Sequence, residues 1–99
     1  MDAKEVTLIK RTYTKNNIGS FVESATTRNV VGNIASVSGQ EFSNAGELGI
    51  KAELIVKVWQ TEYQQEDRLQ VDGIKYLVYR TYADKNGRVE LYCQKDVGV

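Results

Sequence analysis

Val37-Ser38-Gly39-Gln40-Glu41-Phe42 constrains the fold more than any other stretch of this chain. It has the form of a helix start. Ser38 can accept a hydrogen bond from the backbone N–H of Glu41, and the Glu41 carboxylate can reach back to the N–H of Ser38. Val37 before the cap and Phe42 four residues after it suit a hydrophobic staple. The residues on either side read as strands, so the pattern is a short capped helix set between strands.

The strand signals are local and chemical. Val6-Thr7-Leu8-Ile9-Lys10-Arg11-Thr12-Tyr13 is rich in β-branched and aromatic residues and reads as a first strand. A turn over residues 15–20 follows, with Asn and Gly tolerating positive φ. Phe21-Val22-Glu23 resumes an extended chain, and a further strand runs from Thr26 to Val37, with a bulge expected at Gly32. The helix spans about Gly39 to Ala45 and ends near Gly46 or Gly49. Ala52 to Trp59 alternates most cleanly, with Ala52, Leu54, Val56 and Val58 on one face. Thr61 to Arg68 reads as a polar loop. Asp72-Gly73 is the signature of a type I′ hairpin between Leu69-Gln70-Val71 and the strand from Ile74 to Thr81. Asp84-Lys85-Asn86-Gly87 turns the chain into a last strand, Arg88 to Gln94. Mainly antiparallel β structure follows: a small barrel or sandwich of about six strands, with one short helix between the second and third strand regions. The 99 residues form a single domain, with ends expected to fray at about 1–4 and 96–99.

Composition narrows the chemistry. Thirteen basic and thirteen acidic side chains cancel, so bulk charge argues for no anionic partner. There is no histidine, which removes the commonest general base and neutral metal ligand. Neither a cofactor nor a metal site is expected. The single cysteine, Cys93, cannot form an intramolecular disulfide and sits among Val89 and Leu91, where core packing is its expected role. No apolar run approaches a membrane span and the first residues are polar, so no membrane partner and a cytoplasmic protein are expected.

Two groups of residues invite a functional reading. Glu66 and Asp67, with Glu62 nearby, could form a carboxylate pair for hydrolysis or an oxygen-ligand cation site. A solvated loop is the blander and stronger reading. Tyr76, Tyr79, Tyr82 and Tyr92, with Lys75, Arg80 and Arg88, could stack and hold single-stranded nucleic acid as small barrels do. Against this, tyrosine is simply favoured in strands, and no charge surplus supplies a groove.

The ordered segments together resemble the head-tail joining family of tailed phages, also called head completion or head closure proteins. The resemblance is carried by Val6-Thr7-Leu8-Ile9-Lys10-Arg11-Thr12, Asn17-Ile18-Gly19-Ser20 and Ile34-Ala35-Ser36-Val37-Ser38-Gly39-Gln40-Glu41-Phe42 with Ala45. It continues through Leu54-Ile55-Val56-Lys57-Val58, then Asp67 to Val78, and closes on Arg88-Val89-Glu90-Leu91-Tyr92-Cys93. Relatives often carry a tryptophan where this chain has Ser24-Ala25-Thr26-Thr27, and a proline where it has Tyr63-Gln64-Gln65-Glu66. The resemblance implies a non-enzymatic virion protein at the head-tail junction, assembled in the host cytoplasm. It implies a small β-barrel forming a homo-oligomeric ring, with a portal or adaptor protein and tail proteins as partners. Packaged DNA would pass through that ring without sequence readout. It further implies an interaction or channel segment, Ser38-Gly39-Gln40-Glu41-Phe42-Ser43-Asn44-Ala45-Gly46-Glu47-Leu48-Gly49-Ile50-Lys51. Two arrangements stay open for it: a segment adjustable against a neighbour, or a helix anchored over one barrel end by Phe42 and Leu48.

Overall fold

The computed structural model describes residues 2–15 and 17–96. Among them the chain forms β1 (Asp2–Lys15), β2 (Phe21–Ser36), α1 (Gly39–Glu47), β3 (Ala52–Trp59), β4 (Arg68–Val71), β5 (Ile74–Ala83) and β6 (Arg88–Lys95). Neighbouring strands are antiparallel, in the order β1-β2-β3-β6-β5-β4, and β4 pairs back onto β1 to close a barrel. The expected six strands and the helix between β2 and β3 are present, in barrel form.

Alternation decides what fills the interior. Val6 and Leu8 of β1, Val30 of β2, Val56 and Val58 of β3, and Leu69 and Val71 of β4 join one buried cluster. Tyr76 of β5 and Val89, Leu91 and Cys93 of β6 complete it. A barrel this narrow is filled by its own side chains and leaves no lumen. Burial pushes the Cys93 thiol up to about 12, in keeping with the packing role expected for it.

Gly32 corrects one expectation. The β1–β2 register runs without a break from Asp2↔Ile34 to Lys15↔Phe21, and Gly32 lies opposite Lys4, so no bulge occurs there. The glycine faces inward instead. A Cβ at this position would lie 3.0 Å from Val56 Cγ1, 3.1 Å from Val6 Cγ2 and 3.2 Å from Val58 Cγ1. Its missing side chain is the space those valines occupy. The register shifts fall elsewhere, between Ala52 and Leu54 against β6, and between Val78 and Arg80 on β5.

The turns follow their expected chemistry. Asp72 and Gly73 both have positive φ (53° and 78°), as a type I′ hairpin requires. In the second hairpin the Asp84 Oδ1 accepts from the N–H of Asn86 (2.8 Å) and of Arg88 (3.1 Å). These bonds hold its carboxyl below the usual range.

The length of the first hairpin is not apparent from the strand patterns. Phe21–Glu23 and the strand after Thr26 are one continuous strand of 16 residues. β1 pairs with β4 only over Thr7–Ile9, and β2 with β3 only over Asn33–Ser36. Past Ile9 and its partner Thr27 the two strands leave the barrel as a two-stranded arm. Six residues of strand past Ile9 reach about 20 Å, and the molecule measures 49 Å along one axis against 30 and 26 Å across. Residues 2–4, expected to fray, are paired with β2, and the Asp96 N–H donates to the Lys75 carbonyl at 3.0 Å. Met1, Asn16 and 97–99, expected as parts of an end, a turn and a tail, lie outside the described residues.

Gly32→Ala is expected to overpack the barrel and lower unfolding stability by about 1–3 kcal/mol, measured by urea titration. An unchanged midpoint would show that the three valines move aside at no cost.

Candidate functional site

Ser38 starts α1 as its sequence suggests: the hydroxyl accepts from the Glu41 N–H at 3.1 Å, and the Ser38 carbonyl accepts from the Phe42 N–H at 2.9 Å. The end is equally defined. The N–H groups of Leu48 and Ile50 both donate to the Ala45 carbonyl, and Gly49 takes positive φ (78°) to turn the chain away. Nine residues are too few to hold a helix alone, so contacts with the barrel must hold it.

Glu41 supplies the polar contact. Its carboxylate does not close back on Ser38 as the capping-box pattern suggests; it crosses to β5. There Oε2 accepts from the Tyr79 hydroxyl at 2.7 Å and from Arg80 Nε at 3.2 Å, while Oε1 pairs with Arg80 Nη2. The Arg80 guanidinium lies 3.7 Å from the centroid of the Tyr92 ring on β6. Tyr79 meets the same ring edge-on, with centroids 6.3 Å apart. Two successive strand residues would ordinarily point to opposite sheet faces. The shift in pairing from Val78↔Cys93 to Arg80↔Tyr92 leaves Tyr79 unpaired, and this bulge lets both side chains meet one carboxylate. The bond from Arg80 holds the Glu41 carboxyl below its ordinary value of 4.5, with help from Tyr79 and against the opposing effect of burial. Burial and Glu41 together push the Tyr79 hydroxyl well up.

The expected segment divides by exposure. Ala45 is buried, Glu41 and Ile50 are partly covered, and the rest of residues 38–51 face solvent. Phe42 is 49% exposed and Leu48 78% exposed, so they do not anchor the helix. Ala45 and Glu41 do. The small methyl of Ala45 allows close approach, and the charged clamp supplies direction. Between α1 and β5 runs a groove of about 330 Å³ whose lining includes Asn44, Leu48, Ile50, Tyr79 and Arg80.

Of the stacking candidates, only Tyr79, Arg80 and Tyr92 come together. Tyr76 lies in the core, Tyr79 and Arg80 belong to the Glu41 clamp, and Tyr82 is exposed. Arg88 donates to Asn33 Oδ1 at 2.7 Å and to the Lys57 carbonyl at 3.0 Å, and lies over the Trp59 ring.

The carboxylate loop departs from expectation. Glu66 is only 3% exposed, where a solvated loop was expected. It accepts from Arg28 Nε (3.1 Å), Arg28 Nη2 (2.9 Å) and the Gln64 N–H (2.6 Å). Arg28 Nη2 also pairs with the Glu62 carbonyl, and the Tyr63 hydroxyl donates to the Glu66 carbonyl at 2.8 Å. Burial pushes that hydroxyl up to about 12, with Glu66 adding to the effect. Asp67 is paired separately, with Arg68 at 2.9 Å. The loop is a plug beneath the barrel end from which the arm leaves. Arg28 carries the overlooked signal. It shares the inward-facing parity of Val30, Gly32 and Ile34, and a cation there requires a carboxylate.

This geometry defines a closed six-stranded antiparallel barrel with a helix clamped to its outer wall. A likeness to a solved structure agrees with it: the solution structure of protein SF1141 from Shigella flexneri 2a superposes with a TM-score of 0.79 at 14% identity, covering 97% of this chain and 94% of that one. At that identity the likeness carries the fold alone. No protein-family model and no curated protein matches the chain.

Two stability outcomes follow from the clamp. Ser38→Ala should cost about 1 kcal/mol, read from thermal unfolding; an unchanged melting temperature would deny the cap its role. Glu41→Gln should lower the melting temperature at neutral pH. The folded carboxyl titrates below its unfolded value, so its contribution is present above about 4.5 and is lost as pH falls through the folded value. The gap between wild type and variant should therefore close on acidification. A gap constant with pH would show that the charge of Glu41 contributes nothing.

Proposed function

We propose that this chain is a structural subunit of the head-tail junction of a tailed phage. Copies form a ring beneath the portal or adaptor protein, meet the tail proteins on the other side, and extend or close the DNA channel after packaging. The observation that carries the reading is the barrel itself. It is closed, filled by apolar side chains, and interrupted by the capped helix at the place the family resemblance calls for. A solid barrel has no bore, so the channel in this reading is the space enclosed by the ring.

The polar groups support a scaffold. Glu66 is taken up by Arg28, Glu41 by Tyr79 and Arg80, and Asp67 by Arg68. The first two hold distant parts of the chain together, while the third joins neighbouring residues. The solvent side of α1, with Phe42 and Leu48, is the surface offered to a partner. In this role the segment 38–51 stays on the wall while the Glu41 clamp is intact, and reaches the channel only when that clamp opens.

The test is assembly. Purified chain mixed with its cognate portal should add a ring of density below the portal in electron micrographs, and phage lacking the gene should fill their heads and then lose DNA. Bare portals together with DNA-retaining phage would refute the role.

A further inference from the structure

The arm is the part of the molecule that the barrel does not explain. Past Ile9 on β1 and before Asn33 on β2, no further strand flanks the hairpin among the described residues, so it carries a ladder edge on each side. A two-stranded ribbon gains little by itself in water, and an open edge is a template for another strand.

The two edges differ in chemistry. The β1 side runs Lys10-Arg11-Thr12-Tyr13-Thr14-Lys15, with Lys10 and Lys15 exposed. The β2 side of the arm, residues 21–26, has Glu23 as its single charged residue, followed by Ser24-Ala25-Thr26. Arg28, nearer the barrel, is engaged with Glu66. That edge contains no proline, and its register with β1 has no bulge. Of the devices that discourage pairing, β2 carries only the charges of Glu23 and Arg28.

These facts select the occupant. Two β1 edges brought together would put Lys10 and Lys15 of both copies into one ladder, and like charges facing one another destabilise it. A β2 edge meets a β1 edge without that conflict. Pairing β2 with β2 also avoids it but leaves both cationic edges open. Pairing β2 of one copy with β1 of the next leaves none once the contact has closed by rotation.

We propose that the open edges of the arm are occupied by a second copy of this chain, β2 of one arm pairing antiparallel with β1 of its neighbour. The inference deepens the ring reading above, and depends on it for closure but not for the pairing itself. The arms then form a continuous antiparallel sheet around the assembly, while the barrels stand apart at its rim.

The experiment uses two single substitutions in the full chain, Thr12→Cys on β1 and Thr26→Cys on β2. Cys93 is buried and does not compete for reagent. The two proteins are mixed at high concentration and treated with a short dithiol-reactive cross-linker. The mixture should yield covalent dimers well above either protein alone. Thr27→Lys, which adds a cation to the β2 edge, should lower the association constant by about fivefold in sedimentation while leaving the circular dichroism melt in place. A monomer at every concentration without adducts overturns the proposal. So does a dimer formed mainly by Thr26→Cys alone, which would mean β2 pairs with itself. Cross-linked arms on a protein that never binds a portal would leave the pairing standing and remove the virion role.

Discussion

Three rungs close the barrel. Thr7, Leu8 and Ile9 of β1 pair with Gln70, Leu69 and Arg68 of β4, and without them the strands would form an open sheet with its apolar face in water. Leu8 and Leu69 stand opposite each other at this seam, both with no exposed surface. The short ladder is therefore backed by two of the largest wholly buried side chains. Pairing in sheets is all or none with respect to face, since a slip of one residue turns every side chain over. The seam consequently fixes which residues of β1 look inward along its whole length, including the part that has left the barrel. Gly32 is the counterpart on β2, where the wall thins to admit three valines.

The barrel is trimmed by two charged contacts of different character. Beneath the end where the arm departs, Glu66 is almost wholly out of water while Arg28 keeps 35% of its side chain exposed, so removing Arg28 would strand the carboxylate in a poorly solvated place. Glu41, Tyr79 and Arg80 sit on the outer wall, where Arg80 keeps 44% of its side chain exposed and water screens much of the attraction. The first contact belongs to the folded core. The second fixes the helix to the outer wall and lies outside the core cluster.

Much of this was legible from residue order. The clean alternation of β3 and β6, the Asp72-Gly73 turn and the Ser38 cap each rest on chemistry confined to a few neighbouring residues. What escaped involves residues far apart. Arg28 and Glu66 are separated by 38 positions, and so are Glu41 and Tyr79; no local pattern couples them. Capping chemistry suggests that Glu41 turns back, but the bulge at Tyr79 offers it a better pair of donors. Gly32 reads equally as a bulge or as a close approach, and only the position of β3 decides between them. The arm is hidden because a strand inside a sheet and a strand outside it have the same propensity; how far β4 and β3 extend alongside decides where the barrel stops.

The placement of α1 and the arm has one more consequence. The helix joins the barrel at the end where β2 finishes and β3 begins, and the arm departs at the other. The molecule thus has polarity, one pole helical and the other a ribbon. Copies arrayed side by side in the same sense would give an assembly with two unlike faces, and whatever touched one could not bind the other by the same contacts. The asymmetry of such an assembly would be contained in a single chain.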